Sequence, residues 1–148
     1  MRGVINHIAI NVSDREVSNL FYTPILEWLG YVVEEELDEL TVWVHKGSGT
    51  AINIWDTKEE HKKSEFNRHA IGLNHIAFNA KTAKEVDEFY ELLQSIEAEI
   101  LDPPAHYDEY EKGYYAVFAT DPDGVKIEFT YTPSMYTKKG EENTEEIN

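Results

Sequence analysis

The octet INHIAINV at 5–12 returns as LNHIAFNA at 73–80, with five of eight aligned positions identical. Self-similarity at a fixed separation marks a duplicated structural unit, so the chain is expected to build one small motif twice. The duplication also repeats a histidine, His7 and His75, at equivalent places.

Each copy opens with alternating residues, the period of a strand. In the first, Ile8, Ile10 and Val12 share one face, while Ile5, His7, Ala9 and Asn11 share the other. Ser13-Asp14-Arg15-Glu16 has the form of a capping box that starts a helix. Val17, Leu20 and Phe21 supply its apolar face, Pro24 is expected to end or kink it, and Gly30 to stop it. Three short strands follow at 31–37, 40–45 and 50–55, the last two joined by a turn at KGSG. The polar stretch 56–71 reads as a connector. The second copy repeats the order. Strand 72–80 precedes a helix over about 82–97, with Val86, Phe89, Tyr90, Leu93 and Ile96 at helical spacing. A short strand at 98–101 is expected to end at Pro103-Pro104. Then come the aromatic loop HYDEYEKGYY, strand 115–120, a DPDG turn and a last strand, VKIEFTY, at 125–131.

The sequence therefore predicts an α+β fold of two βαβββ modules, about 4–56 and 72–132. They belong to one domain over 1–133, followed by an acidic flexible tail at 134–148. One helix against one face of each sheet leaves the other face uncovered. Two modules side by side would make one curved mixed sheet with a cleft on its free face and helices outside. With Ile8, Ile10, Ile76 and Phe78 turned to the helices, His7 and His75 face the cleft.

The last strand adds a third polar group. Val125, Ile127, Phe129 and Tyr131 share one face, which puts Lys126, Glu128 and Thr130 on the other. A carboxylate buried there without a partner would cost on the order of several kcal/mol, or remain protonated. A divalent cation would offset that cost. Two imidazoles and a carboxylate form a facial triad that leaves positions open for water or substrate. This donor set suits Fe, Mn, Ni, Co or Zn as a single divalent ion. The competing explanation is that duplication copied a structural histidine.

Composition narrows the partners. The 148 residues carry 29 acidic against 13 basic side chains, a net charge of −16. That excludes a phosphate-neutralising nucleic-acid surface. Arg2, Arg15 and Arg68 are the only arginines, too few for an arginine-built phosphate clamp. The chain has no cysteine, hence no disulfide and no thiolate ligand or nucleophile. No apolar run has the length of a membrane span, and the N-terminus has no secretion pattern. A cytoplasmic protein acting on a small molecule is the expectation.

The repeated NHIA strands, the βαβββ order and the ending DPDGVKIEF resemble the vicinal oxygen chelate superfamily. That group includes glyoxalase I, extradiol dioxygenases, fosfomycin-resistance proteins and bleomycin-binding proteins. The likeness spans about residues 4–132, and FYTPILEWLGY with PPAHYDEYEKGYYAVFATDPDG looks most like a glyoxalase-like subgroup. It implies metal ligands from the first and last strands of each module, here His7, Asn53, His75 and Glu128. Asn53 departs from the carboxylate of glyoxalase I at that place and cannot serve as a general base. The resemblance implies a lyase or isomerase acting on a substrate chelated through neighbouring oxygens, with Glu128 catalytic as well as ligating. It also leaves open an extradiol-type dioxygenase, which carries a three-ligand set, or a binding protein without turnover. A homodimer follows from the same resemblance, and exchange of modules between chains is left open.

Secondary candidates surround this set. His45 could reach the cleft or lie at a hairpin end. His106, Tyr107, Tyr110 and Tyr114 could form a lid or an aromatic wall for a ligand, or the tyrosines could simply pack the outside of the sheet; Asn53, His45, Tyr110 and Tyr114 are the candidate substrate contacts. His61 and His69 read as solvated, and Trp43 and Trp55 as core or interface.

Overall fold

The computed structural model describes residues 2–136. Residues 137–148, most of the acidic tail, lie outside that range. The element order is β1 (His7–Val12), α1 (Arg15–Trp28), β2 (Tyr31–Leu37), β3 (Leu40–His45) and β4 (Ala51–Asp56). After the connector come β5 (His75–Ala80), α2 (Ala83–Ser95), β6 (Glu99–His106), β7 (Tyr115–Thr120) and β8 (Lys126–Tyr131). The fold is α+β, with the predicted βαβββ unit twice.

Each module builds a four-stranded mixed sheet, ordered β1-β4-β3-β2 and β5-β8-β7-β6. The first strand runs parallel to the last, and the other pairs are antiparallel. Ala9 lies opposite Asn53, and Ala77 opposite Glu128. Asn53 and Glu128 thus hold the same place in their sheets. β1 and β5 are both edge strands, and the hydrogen-bonded ladder does not cross from one module to the other.

Both helices start on side-chain caps. Asp14, not Ser13, is the N-cap of α1 and accepts from Val17 N at 3.1 Å, and the Ser13 N–H donates across the molecule to Asp123 Oδ2 at 2.9 Å. Thr82 caps α2 through Glu85 N, while Glu85 reaches back to Lys81 N. α1 runs through Pro24 to Trp28. The carbonyl that proline leaves without its helical donor belongs to Leu20, whose side chain is 76% exposed, so water can satisfy it. β6 extends past Pro103-Pro104 instead of stopping at residue 101. It is the outer strand of its sheet, and register shifts between Ile100 and Ala105 leave both prolines without a ladder partner.

One core joins the two modules: Ile10, Leu26, Ile54, Ile76, Phe89, Leu93, Ile127 and Phe129 are all buried in it. Trp28 bridges them, its ring 5.6 Å from Phe89 and 5.5 Å from Phe129. A polar latch lies alongside. Tyr22 donates to Asp121 Oδ2 at 2.7 Å, and Asp121 Oδ1 accepts from Asp123 N and Val125 N. The DPDG turn is thereby tied to α1 just before β8, the strand that carries Glu128.

Candidate functional site

Alternation along β8 sends Val125, Ile127 and Phe129 into the core and Glu128 to the opposite face. Glu128 is nevertheless 4% exposed. The segment between β6 and β7 folds over it, bringing Tyr107, Tyr110 and Tyr114 against β7. Tyr114 donates to Glu128 Oε1 at 2.5 Å. Burial, then the bond to this carboxylate, pushes the Tyr114 phenol up to about 12, so it keeps its proton across the physiological range. Tyr110 stands edge-on to Tyr114 and stacks on Tyr107, which meets Phe118 edge-on. Lys126 Nζ lies 3.9 Å from the centre of the Phe118 ring. The module 2 face is therefore an aromatic wall with one cation around a buried carboxylate.

His75 opens β5 beside β8, and its Nε2 lies 3.0 Å from Glu128 Oε2. Its Nδ1 lies 2.6 Å from Asn74 Oδ1. Both ring nitrogens face acceptor oxygens, whereas a neutral imidazole can donate to only one of them. His75 Nε2 and Glu128 Oε2 lie side by side at the uncovered face of module 2. An imidazole nitrogen and a carboxylate oxygen side by side are donors that could hold a divalent ion together with a further ligand. The donor set fits a divalent cation.

The structure does not bring His7 to this pair within one chain. His7 lies exposed on β1, with Nδ1 2.8 Å from Asn6 Oδ1. Among the described residues no group of three His, Asp or Glu side chains converges as a metal site. The physical reason is the break in the ladder: strand phase turns both histidines to the uncovered face, but β1 and β5 border different sheets. Asn53 sits on the module 1 face with its Oδ1 buried and without a partner. His45 closes its own hairpin, since Nδ1 accepts from Ser48 N at 2.9 Å and the ring packs on Tyr31. It also borders a cleft of about 540 Å³ between the modules, with Ile5, Ala77 and Phe78. Tyr110 is 69% exposed at the rim of the aromatic wall. His61 borders a wider polar cavity of about 1200 Å³ beside the connector, which His7, His75 and Glu128 do not line. Trp43 is core and Trp55 is partly exposed.

Sequence reading missed the two asparagines that precede the histidines and the place of Lys126 and Phe118 in the wall. The repeated Asn-His dipeptide was the available signal for the first.

A family model for the Glyoxalase/Bleomycin resistance protein/Dioxygenase superfamily matches residues 4–129. The chain belongs to that superfamily. It is 34% identical to the uncharacterized protein YqjT of Bacillus subtilis over 124 residues, covering 84% of this chain and 95% of that protein. It is 32% identical over 129 residues to the metallothiol transferase FosB of Lysinibacillus sphaericus, covering 84% of this chain and 79% of that one. The crystal structure of a candidate glyoxalase from Bacillus halodurans superimposes with a TM-score of 0.75 at 29% identity, over 88% of this chain and 97% of that one. Superfamily membership accounts for the two matched sheets, and members of that superfamily commonly use a divalent metal and bind small molecules. No helix among the described residues is long and apolar enough to cross a membrane.

Proposed function

We propose that this protein is a divalent-metal-dependent enzyme whose ion lies between His75 and Glu128, with His7 of a second copy as third ligand. The reaction class is a glyoxalase-like lyase or isomerase acting on a small organic substrate held through neighbouring oxygens. The observation that carries this reading is the buried Glu128 carboxylate set 3.0 Å from His75 Nε2, with acceptors on both sides of the ring.

The second copy is argued from the edges. β1 and β5 each present an unpaired ladder on the outer side, and such edges are covered in stable assemblies. Val4, Ile5 and Leu73, next to those edges, are exposed. Pairing β1 of one copy with β5 of another would join the two half-sheets into the curved sheet and bring His7 to Glu128. Asn53 of that copy would come with it, offering its unpartnered oxygen to a donor on the substrate.

The metal, when bound, supplies Lewis acidity that stabilises negative charge developing on chelated oxygen. Tyr114 holds Oε1 of Glu128 and leaves Oε2 toward the ion. Tyr107, Tyr110 and Phe118 exclude water from the face of the substrate. Lys126 offers a cation to an anionic end. The FosB likeness favours a second reading, transfer of a thiol to a small electrophile on the same metal. An extradiol-type dioxygenase or a binding protein without turnover would use the same face.

Complementation tests the shared site. His7→Ala and His75→Ala proteins should each bind little metal, and unfolding and refolding them together should restore about a quarter of the wild-type sites, since half the dimers are mixed and each has one complete site. No recovery in mixed dimers contradicts the shared site. Substrate panels with oxygen uptake and thiol consumption separate the reaction classes: a lyase or isomerase consumes neither.

A further inference from the structure

Lys126 puts a second cation on the face proposed to hold a metal. Strand register sets it directly opposite His75 on β5 and two residues before Glu128 on β8, and Glu128 lies opposite Phe118 on β7. Residues paired in this way turn to the same side of a sheet, and neighbouring strands stand ~4.8 Å apart. His75, Lys126, Glu128 and Phe118 therefore share one patch of the uncovered face. The Lys126 Nζ is seated 3.9 Å from the centre of the Phe118 ring. That ring is buried and met edge-on by Tyr107. Such a seat limits the rotamers of a long side chain, so the ammonium is held ready on the face.

Two simpler roles do not account for this cation. Neutralising Glu128 would need an ion pair, yet that carboxylate accepts from Tyr114 and faces His75, and among the described residues no carboxylate pairs with Lys126. Assisting the metal is ruled out by sign, since like charges repel. An anionic group arriving with the substrate would satisfy the ammonium. We propose that Lys126 determines specificity by selecting substrates that carry a carboxylate in addition to the two chelating oxygens. One ammonium matches one negative charge, which favours a carboxylate over a doubly charged phosphonate. Phe118, Tyr107 and Tyr110 suit an apolar or ring-bearing frame between the two ends. This rests on the metal-dependent reading above and narrows its substrate.

Calorimetry tests this on the full-length protein loaded anaerobically with Ni²⁺, Mn²⁺, Zn²⁺ or Fe²⁺. The probes are homoprotocatechuate, a catechol with an acetate arm, and methylcatechol, which shares the neighbouring oxygens but has no charge. Wild type should bind the acid about 10-fold more tightly than the neutral catechol, the effect of one charge-assisted hydrogen bond. Lys126→Met, which keeps the apolar stem over Phe118, should lose that preference by weakening the acid alone. Lys126→Arg, which keeps the charge, should restore most of it. Lys126→Met should also hold the metal at least as tightly as wild type, because a repelling charge is gone. Equal wild-type affinity for both probes, a preference that Lys126→Met leaves in place, or loss of the metal in that variant overturns the role given to Lys126. Failure of both catechols to bind the metal-loaded wild type instead overturns the chelated-substrate reading on which it rests.

Discussion

Replacing Tyr22 with Phe should weaken the joint between the modules without disturbing its apolar packing. The ring is buried in the core and stays there, so the perturbation is confined to one hydroxyl. That hydroxyl donates to Asp121 Oδ2 at 2.7 Å, and Asp121 is 3% exposed. Burial, followed by the nearby Asp121 charge and its hydrogen bond, raises the Tyr22 phenol well above its ordinary value, so it acts as a donor at every working pH. The remaining donors, Asp123 N and Val125 N, both serve Oδ1. Among the described residues no other hydrogen-bond donor to Oδ2 is found once the hydroxyl is removed. A hydrogen bond to a charged group contributes ~1.5–3 kcal/mol, and a loss of ~2 kcal/mol lies within that range. For a chain of this length, ~2 kcal/mol corresponds to a fall in Tm of about 4–8 °C. Urea unfolding should show a lower midpoint at unchanged slope, since the surface exposed on unfolding is the same. A loss below about 0.5 kcal/mol would refute the view that this latch ties α1 to β8.

The same latch predicts a pH signature. Burial is the largest influence on Asp121 and raises its carboxyl above the ordinary value, against the opposing donors from Tyr22 and the backbone. A raised folded pKa means that the native state holds the proton more tightly. The contribution is full below the unfolded carboxylate value and is lost as pH rises through the folded one. The stability advantage of wild type over Asp121→Asn should therefore shrink across that window in paired urea titrations, and an advantage that grows with pH would contradict it. Gly30→Ala should cost ~1–2 kcal/mol in thermal unfolding, since a side chain there would have to adopt φ +88°. The new methyl would also sit 3.4 Å from His45 Nε2.

Much of the fold was legible because alternation and helical spacing are local. The phase of INHIAINV and LNHIAFNA puts Ile10 and Ile76 in the core, and the phase of VKIEFTY turns Glu128 away from it, as the structure has them. Pro103-Pro104 misled because a proline stops a central strand but not an outer one, and strand order is a long-range property. The capping box was misplaced by one residue, and the Ser13 N–H, which a reciprocal Glu16 would have taken, is held by Asp123 from the far module. At the site, strand phase gave the face on which His7, His75 and Glu128 lie. It did not say which sheets adjoin, so the separation of His7 from the other two was invisible in sequence. The tyrosine cover of Glu128 was only half legible: composition flagged the aromatic loop, while the Tyr114–Glu128 bond depends on how that loop folds back.

The most direct test is metal stoichiometry. Equilibrium dialysis of the wild-type protein against Ni²⁺, Mn²⁺, Zn²⁺ and, anaerobically, Fe²⁺ should leave close to one ion per chain for at least one of these metals. Glu128→Gln, which keeps shape but removes the charge, should lose that ion while remaining folded. Wild-type protein that stays metal-free against all four, or a Glu128→Gln variant that binds as well as wild type, would contradict a metal held between His75 and Glu128.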